Sequence, residues 1–327
     1  MISEYAIDPE VFAAYWKDHF AFFSGAFDDS GRILSQYPKR WKRELWKMVE
    51  ADADFSDNDL KRLDSLLADK ILARSIRRKN SYTEKESWLE RAEAEHNDFS
   101  FRAILSASNP RKHDDVVELD QLLTTRVPCW ECSRNFRVER VARDMIGAIN
   151  PILHRSKKIY LIDPYLSTEK RYTRVVSEIC QAVSSPMSLY PQAEINVFTS
   201  VKGSIWRDCK ISSGKRIPDS EEKQCVCQTF KKECVDIFPA IIPAGVKITF
   251  NVCFEKGGGI DFHDRTILTD IAGVDFGNGL DAKGSGKVVR LKYLDYYECS
   301  KLEEDFFSGQ PLAYDVECSF GIVGTKG

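Results

Sequence analysis

Histidine, methionine and net charge are all scarce in this chain, and no long apolar run occurs in it. Five histidines and four methionines stand among 327 residues, and 47 basic side chains nearly cancel 50 acidic ones to leave a formal charge of −3. That balance provides no molecule-wide field to gather nucleic acid, so any phosphate binding has to come from a local patch. No stretch reaches the roughly 18–20 apolar residues that cross a bilayer. The opening MISEYAIDPE lacks the basic-then-apolar order of a secretion signal, so a cytoplasmic location is the expectation. With 43% hydrophobic and 30% charged residues the composition is that of a globular protein, long enough for one large or two medium domains.

Cysteine is not scarce. Ten are present, and without a secretion signal they are expected to remain thiols. Cys129 and Cys132 form one CxxC, and Cys225, Cys227 and Cys234 lie close together on another segment. A zinc site joining the two groups is conceivable, but CxC spacing suits zinc poorly and no second CxxC exists, so buried thiols are the better reading. Cys180, Cys253, Cys299 and Cys318 sit among apolar neighbours and read as core. No metal or cofactor is expected.

Three regions follow from periodicity. Residues 1–107 read as an α-helical domain. Phe12, Tyr15, Trp16, Phe20 and Phe23 make one stripe, and Trp41, Leu45, Met48 and Val49 a second. Ser56 or Asp57 caps a helix through Leu60, Leu63, Leu66, Leu67, Ile71 and Ile76, and Thr83 with Glu86 forms a capping box for another. Residues 108–135 are a linker, beginning in the polar SASNPRKHDD, where His113 reads as a solvated loop residue. From 136 to 327 helix and strand patterns alternate, which predicts an α/β domain. Val138, Val141, Met145, Ile149 and Ile152 give a helix ending in the basic HRSKK, followed by the strand IYLID, a helix over 171–183 and the strand INVFTS. A polar loop over 201–219 (with SSGKR), a helix from Asp219 to Ile237, the strand VKITFNVCFE, a further strand and helix, and an edge strand AYDVECSFGIVG complete it.

The chemistry is concentrated in HDRTILTD, residues 263–270, directly behind the Gly-rich KGGG of Lys256 to Gly259. Alternation along a strand would send His263 and Arg265 out of one face, so an imidazole and a fixed cation converge on one anionic group, and phosphate is the natural guest. Asp270 falls on the other face of a regular strand. The spacing HxRx4D resembles the HxKx4D signature of the phospholipase D superfamily, with Arg265 where lysine is usual. The following VDFGNGLD puts Gly277 and Asn278 where that family closes its phosphate pocket, and HDR with GxGLD resembles the phospholipase-D-like C-terminal domain of MIT-domain proteins and their bacterial relatives. KKIYLIDPYLS (Lys157 to Ser167) is similar to the opening strand of many phospholipase-D-like nucleases, with Asp163 and Tyr165 in its D-P-Y turn. These likenesses span roughly the C-terminal three-fifths of the chain.

The resemblance implies a phospholipase-D-like mixed sheet flanked by helices and a metal-independent phosphodiesterase, a nuclease in a phage-defence setting where helical domains accompany such folds. His263 is then the nucleophile or general acid of a phosphohistidine mechanism and Arg265 the phosphate clamp. Asp270 acts structurally or through a partner subunit, and Asn278 is an oxygen ligand with Gly277 beside it. Whether Asp163 and Tyr165 touch the ligand or only end a strand stays open. None of His19, His96, His113 and His154 has a cation two residues later, so a complete two-histidine site requires a homodimer. Arginine forks onto phosphate but donates no proton, which leaves open a catalytically inactive module that binds phosphate or a phospholipid headgroup or recruits a partner. The partner classes are therefore nucleic acid or a phospholipid headgroup. A third reading makes His263 an ordinary strand histidine in a scaffold.

Overall fold

The computed structural model describes residues 3–27, 31–72, 75–78, 87–211, 217–256, 261–307 and 313–327. The chain forms two compact units, Met1–Arg134 and Asn135–Gly327. The second unit begins one residue before the expected start of the α/β domain. The stretch read as a linker belongs, up to Arg134, to the first unit.

The first unit is not the helical bundle that its aromatic stripes suggested. In chain order it contains β1 (Ser3–Ile7), α1 (Pro9–Tyr15), α2 (Phe20–Ala26), β2 (Arg32–Gln36), α3 (Trp41–Ala51), α4 (Asp57–Ser65), β3 (Ile76–Arg77), α5 (Trp88–Asp98), β4 (Ala103–Ser106), β5 (Val116–Glu118) and α6 (Leu119–Thr124). The strands pair in parallel in the order β3-β2-β1-β4-β5. Helices cover both faces. Tyr5, Ile7, Leu34 and Leu105 pack with Phe12, Trp16, Phe23, Trp41 and Leu45 on one side, and Ala6, Ile104 and Val116 pack with Leu89 and Ala92 of α5 on the other. The stripes are thus real core, but they pack on a sheet. Strands β1, β2 and β4 are buried along nearly their whole length and so show no alternation, which is why periodicity missed them.

The Ser56 hydroxyl accepts from the Asp59 N–H at 3.3 Å, capping α4 as expected. The helix then widens into a π-type turn over Leu66–Ile71, and Ile76 lies in β3 rather than on the helix. Thr83 and Glu86 lie outside the described residues; α5 is capped by Ser87, whose hydroxyl accepts from the Glu90 N–H at 3.3 Å.

The second unit contains β6 (Asn135–Glu139), α7 (Ala142–Gly147), α8 (Asn150–Leu153), β7 (Lys158–Ile162), α9 (Lys170–Ser184), β8 (Glu194–Thr199), α10 (Ser204–Asp208), α11 (Ser220–Ile237), β9 (Lys247–Glu255), β10 (Thr266–Thr269), β11 (Gly273–Asp275), β12 (Val288–Tyr293), α12 (Tyr296–Phe306) and β13 (Tyr314–Val323). Its mixed sheet runs β13-β9-β8-β7-β10-β11-β12-β6. Strands β7, β8 and β9 are parallel, joined through α9 and then α10 and α11, while β10 lies antiparallel on the other flank of β7. The molecule is therefore mixed α/β, with two sheets flanked by helices. The helix expected through Val138 starts later: Val138 is in β6, paired with Val289 of β12, and α7 opens at Ala142. As expected, β13 is an edge strand.

Cys209 and Cys225 are joined by a disulfide rather than remaining thiols. Cys180, Cys253 and Cys299 are buried, whereas Cys318 is only half-buried. Among the described residues no group of three or more His, Cys, Asp or Glu side chains is arranged to hold a metal ion, and no helix is long and apolar enough to cross a membrane.

Candidate functional site

Strand order in the second unit reverses at β7, between β8 on one side and β10 on the other. In open α/β sheets the loops leaving the carboxyl ends of strands part at such a point and leave a crevice for ligands. Asp163 follows the last residue of β7, and Arg265 precedes the first residue of β10, whose Thr266 pairs with Ile162. Topology alone therefore brings the D-P-Y turn and the HDR segment together.

The side chains meet there. The Arg265 guanidinium lies 5.5 Å from the Tyr165 ring centroid, and its Nη1 donates to the Gly277 carbonyl at 3.0 Å. Asp163 is 1% exposed. Its two oxygens accept the Tyr165 N–H at 2.8 Å and the Leu280 N–H at 2.9 Å, so one carboxylate fixes both its own turn and the turn that carries Gly277 and Asn278. Burial pushes the Asp163 carboxyl above its usual range, while the two N–H donors and the Arg265 charge pull it back.

Gly277 and Asn278 are exposed in that turn, where φ is +43° at Gly277 and +110° at Gly279. These angles belong to glycine. A methyl group on Gly279 would stand 3.1 Å from Asp281 Oδ1, 3.4 Å from Arg265 Cδ and 3.5 Å from Asp163 Oδ2, which locates all three side chains around one point.

His263 reaches the site edge by a different route. Regular strand begins only at Thr266, so alternation does not govern residues 261–265. Phe262 does: it is fully buried with Ile162, Phe198, Leu268, Phe306 and Tyr314, and its N–H donates to Glu255 at 2.9 Å. Anchored on both sides of that ring, Asp261 and His263 face solvent. Their side chains pair at 3.2 Å through His263 Nε2, and His263 is 67% exposed. The structure gives His263 and Arg265 separate partners instead of the single shared anion that strand geometry suggested. Asp264 is half-buried between them, its carboxyl raised by burial and by Asp305 and Asp275.

Asp270 is not part of this constellation. Its Oδ1 accepts the backbone N–H groups of Lys157 and Lys158 at 2.9 and 3.2 Å, at the amino end of β7. Five residue steps along β10 place it about 16 Å from Arg265. It holds the strand's entry and no reacting group. The segments KGGG after Lys256 and SSGKR lie outside the described residues.

No family model matches the chain, and no curated protein does. A solved structure of TrmBL2, an archaeal chromatin protein reported to show a novel mode of DNA binding, aligns over 91% of this chain and 96% of its own at 12% identity. Its TM-score is 0.25, too low to bear on fold or function.

Sequence reasoning overlooked several contributors. Asp261 was visible in DFH, two residues before the imidazole. Lys202 and Glu255 were not: they pair at 2.6 Å, and Glu255 also receives the Phe262 N–H, so the loop after β8 and the end of β9 both brace the histidine segment. Nearby Val201, fully buried and β-branched, holds φ at +50°, a strained conformation at the carboxyl end of β8.

Proposed function

We propose that the second unit is a phospholipase-D-like phosphodiesterase that cleaves nucleic acid without a metal ion. The supporting observation is the Arg265 guanidinium, seated between the Tyr165 ring and the Gly277 carbonyl at the strand-order reversal, with an exposed imidazole two residues away. Asp261 on Nε2 orients the ring and leaves Nδ1 for the substrate. In this reading the imidazole attacks phosphorus, the leaving oxygen takes a proton from the same residue of a second copy, and water releases the product from the phosphohistidine. Arg265 holds the non-bridging oxygens as charge grows on them. Two copies are required, so the active form is a homodimer. The phage-defence setting rested on a helical first unit and loses that ground with the parallel sheet.

One observation favours a second reading, a phosphate- or headgroup-binding module without turnover. Arg265 is a cation that cannot give up a proton, and its orientation is already fixed by a carbonyl and a ring.

Labelled single-stranded DNA and RNA, incubated with the full chain in EDTA, separate these. Cleavage that survives EDTA and falls by about 100-fold or more in His263→Ala supports the enzyme. Because His263 is exposed, that variant should melt within about 0.5 kcal/mol of the parent. Binding without cleavage, lost in Arg265→Ala and intact in His263→Ala, gives the module. Neither binding nor cleavage by a folded dimer sinks both.

A further inference from the structure

The turn on which Arg265 rests is itself gripped by a buried ion pair. Arg140, at the exit of β6, is 5% exposed and Asp281 is 4% exposed. Arg140 Nε donates to the Asp281 carbonyl at 2.9 Å and Nη2 to the Asn278 carbonyl at 2.6 Å, and Nη2 also meets the Asp281 carboxylate. The Arg140 main chain is committed to the next stretch, donating to the Lys287 carbonyl at 2.6 Å and accepting from Lys283 and Gly284 at 2.9 and 3.2 Å. The other Asp281 oxygen has no hydrogen bond and faces Arg171 and Lys283 at 3.5 and 4.0 Å.

A solvent-excluded pair of charges is an inefficient way to stabilise a fold, because desolvation offsets most of the attraction. What it supplies is geometry: a planar fork that meets two carbonyls and a carboxylate admits one arrangement. The same turn offers the Gly277 carbonyl to Arg265 and the Leu280 N–H to Asp163. Arg265 therefore stands on a turn held by Arg140 from one strand and by Asp163 from another, with Gly279 leaving just enough room for the side chains around it.

We propose that Arg140 and Asp281 are positioning residues that set the aim of the Arg265 guanidinium. The functional consequence rests on the phosphodiester reading of this unit; the conformational one rests on geometry alone. With the fork removed, the glycine-containing turn is free to shift and Arg265 loses its carbonyl.

Arg140→Lys keeps the charge without the fork, and Asp281→Asn keeps the shape without the charge. In the full chain, the rate at which phenylglyoxal modifies Arg265, read by peptide mass spectrometry, is expected to rise at least about fivefold in either variant. Exposed Arg207 should keep its rate. With bis(p-nitrophenyl) phosphate as the probe, kcat should fall about tenfold or more with KM little changed, as for a misaimed group. If either variant fails to fold, Gly279→Ala presses on the same three side chains and gives the same readout. Folded variants in which Arg265 reacts at the parental rate overturn the proposal. A parent protein that never turns over the probe, with Arg265 still exposed by the substitutions, removes the phosphodiesterase reading and leaves the positioning role standing.

Discussion

Single residues carry both the legible and the illegible parts of the site. His263, Arg265, Asp163 and Tyr165 could be read because each sits in a short motif whose chemistry is local. Arg140 could not: its partner Asp281 lies 141 positions away, and an arginine after a strand has no signature of its own. Asp270, expected to act structurally or through a partner subunit, accepts two backbone N–H groups at the entry of β7, and spacing along the chain could not say which end of a strand it serves. In the first unit, burial raises the Asp8 carboxyl to about 6 from 3.8, against the pull of the Glu10 N–H that it caps. A carboxyl raised on folding contributes stability that is complete below its unfolded pKa and is lost as pH climbs through about 6. Asp8→Asn keeps the cap and removes the titration. Between pH 4 and 7.5 the parent should lose about 2–3 kcal/mol more than this variant in denaturant melts, and parallel curves for the two proteins would refute the assignment.

Among the elements, long amphipathic helices and long strands declared themselves. The segment from Asp219 to Ile237 was recognisable as α11 because Asp219 and Glu222 form a reciprocal cap, and β9 because nine residues of largely apolar strand formers run unbroken. The strands of the first unit stayed hidden: they have two to five residues, and the neighbouring helices dominate any window wide enough to measure a period. No pattern announced the bond between Cys209 and Cys225, which ties α10 to α11 across 16 positions. Closing a loop of that length restricts the unfolded chain by about 3 kcal/mol. Dithiothreitol, or Cys225→Ser, should lower stability by up to that amount, and alkylation of the denatured protein without reductant should label eight cysteines in place of ten. Ten labelled cysteines without reductant would show the bond absent.

For the whole molecule, length pointed to one large or two medium domains, and the alternation of helix and strand patterns pointed to an α/β domain over residues 136–327 alone. The sheet of the second unit was half readable because its βαβ repeats leave alternating signatures, whereas the placement of β6 beside β12 depends on contacts that no local window contains. That pairing has a consequence for biosynthesis. Strand β6 is the first of its unit to leave the ribosome, yet its ladder with β12 and the grip of Arg140 on the Asn278–Asp281 turn must wait for residues some 140 to 160 positions later. Loops that long close slowly. The nascent chain can lay down β7, β8 and β9 in order as they emerge, but the turn that takes Arg265 Nη1 matures late, so a stalled or truncated product would have a sheet and helices before Arg265 had the Gly277 carbonyl to rest on.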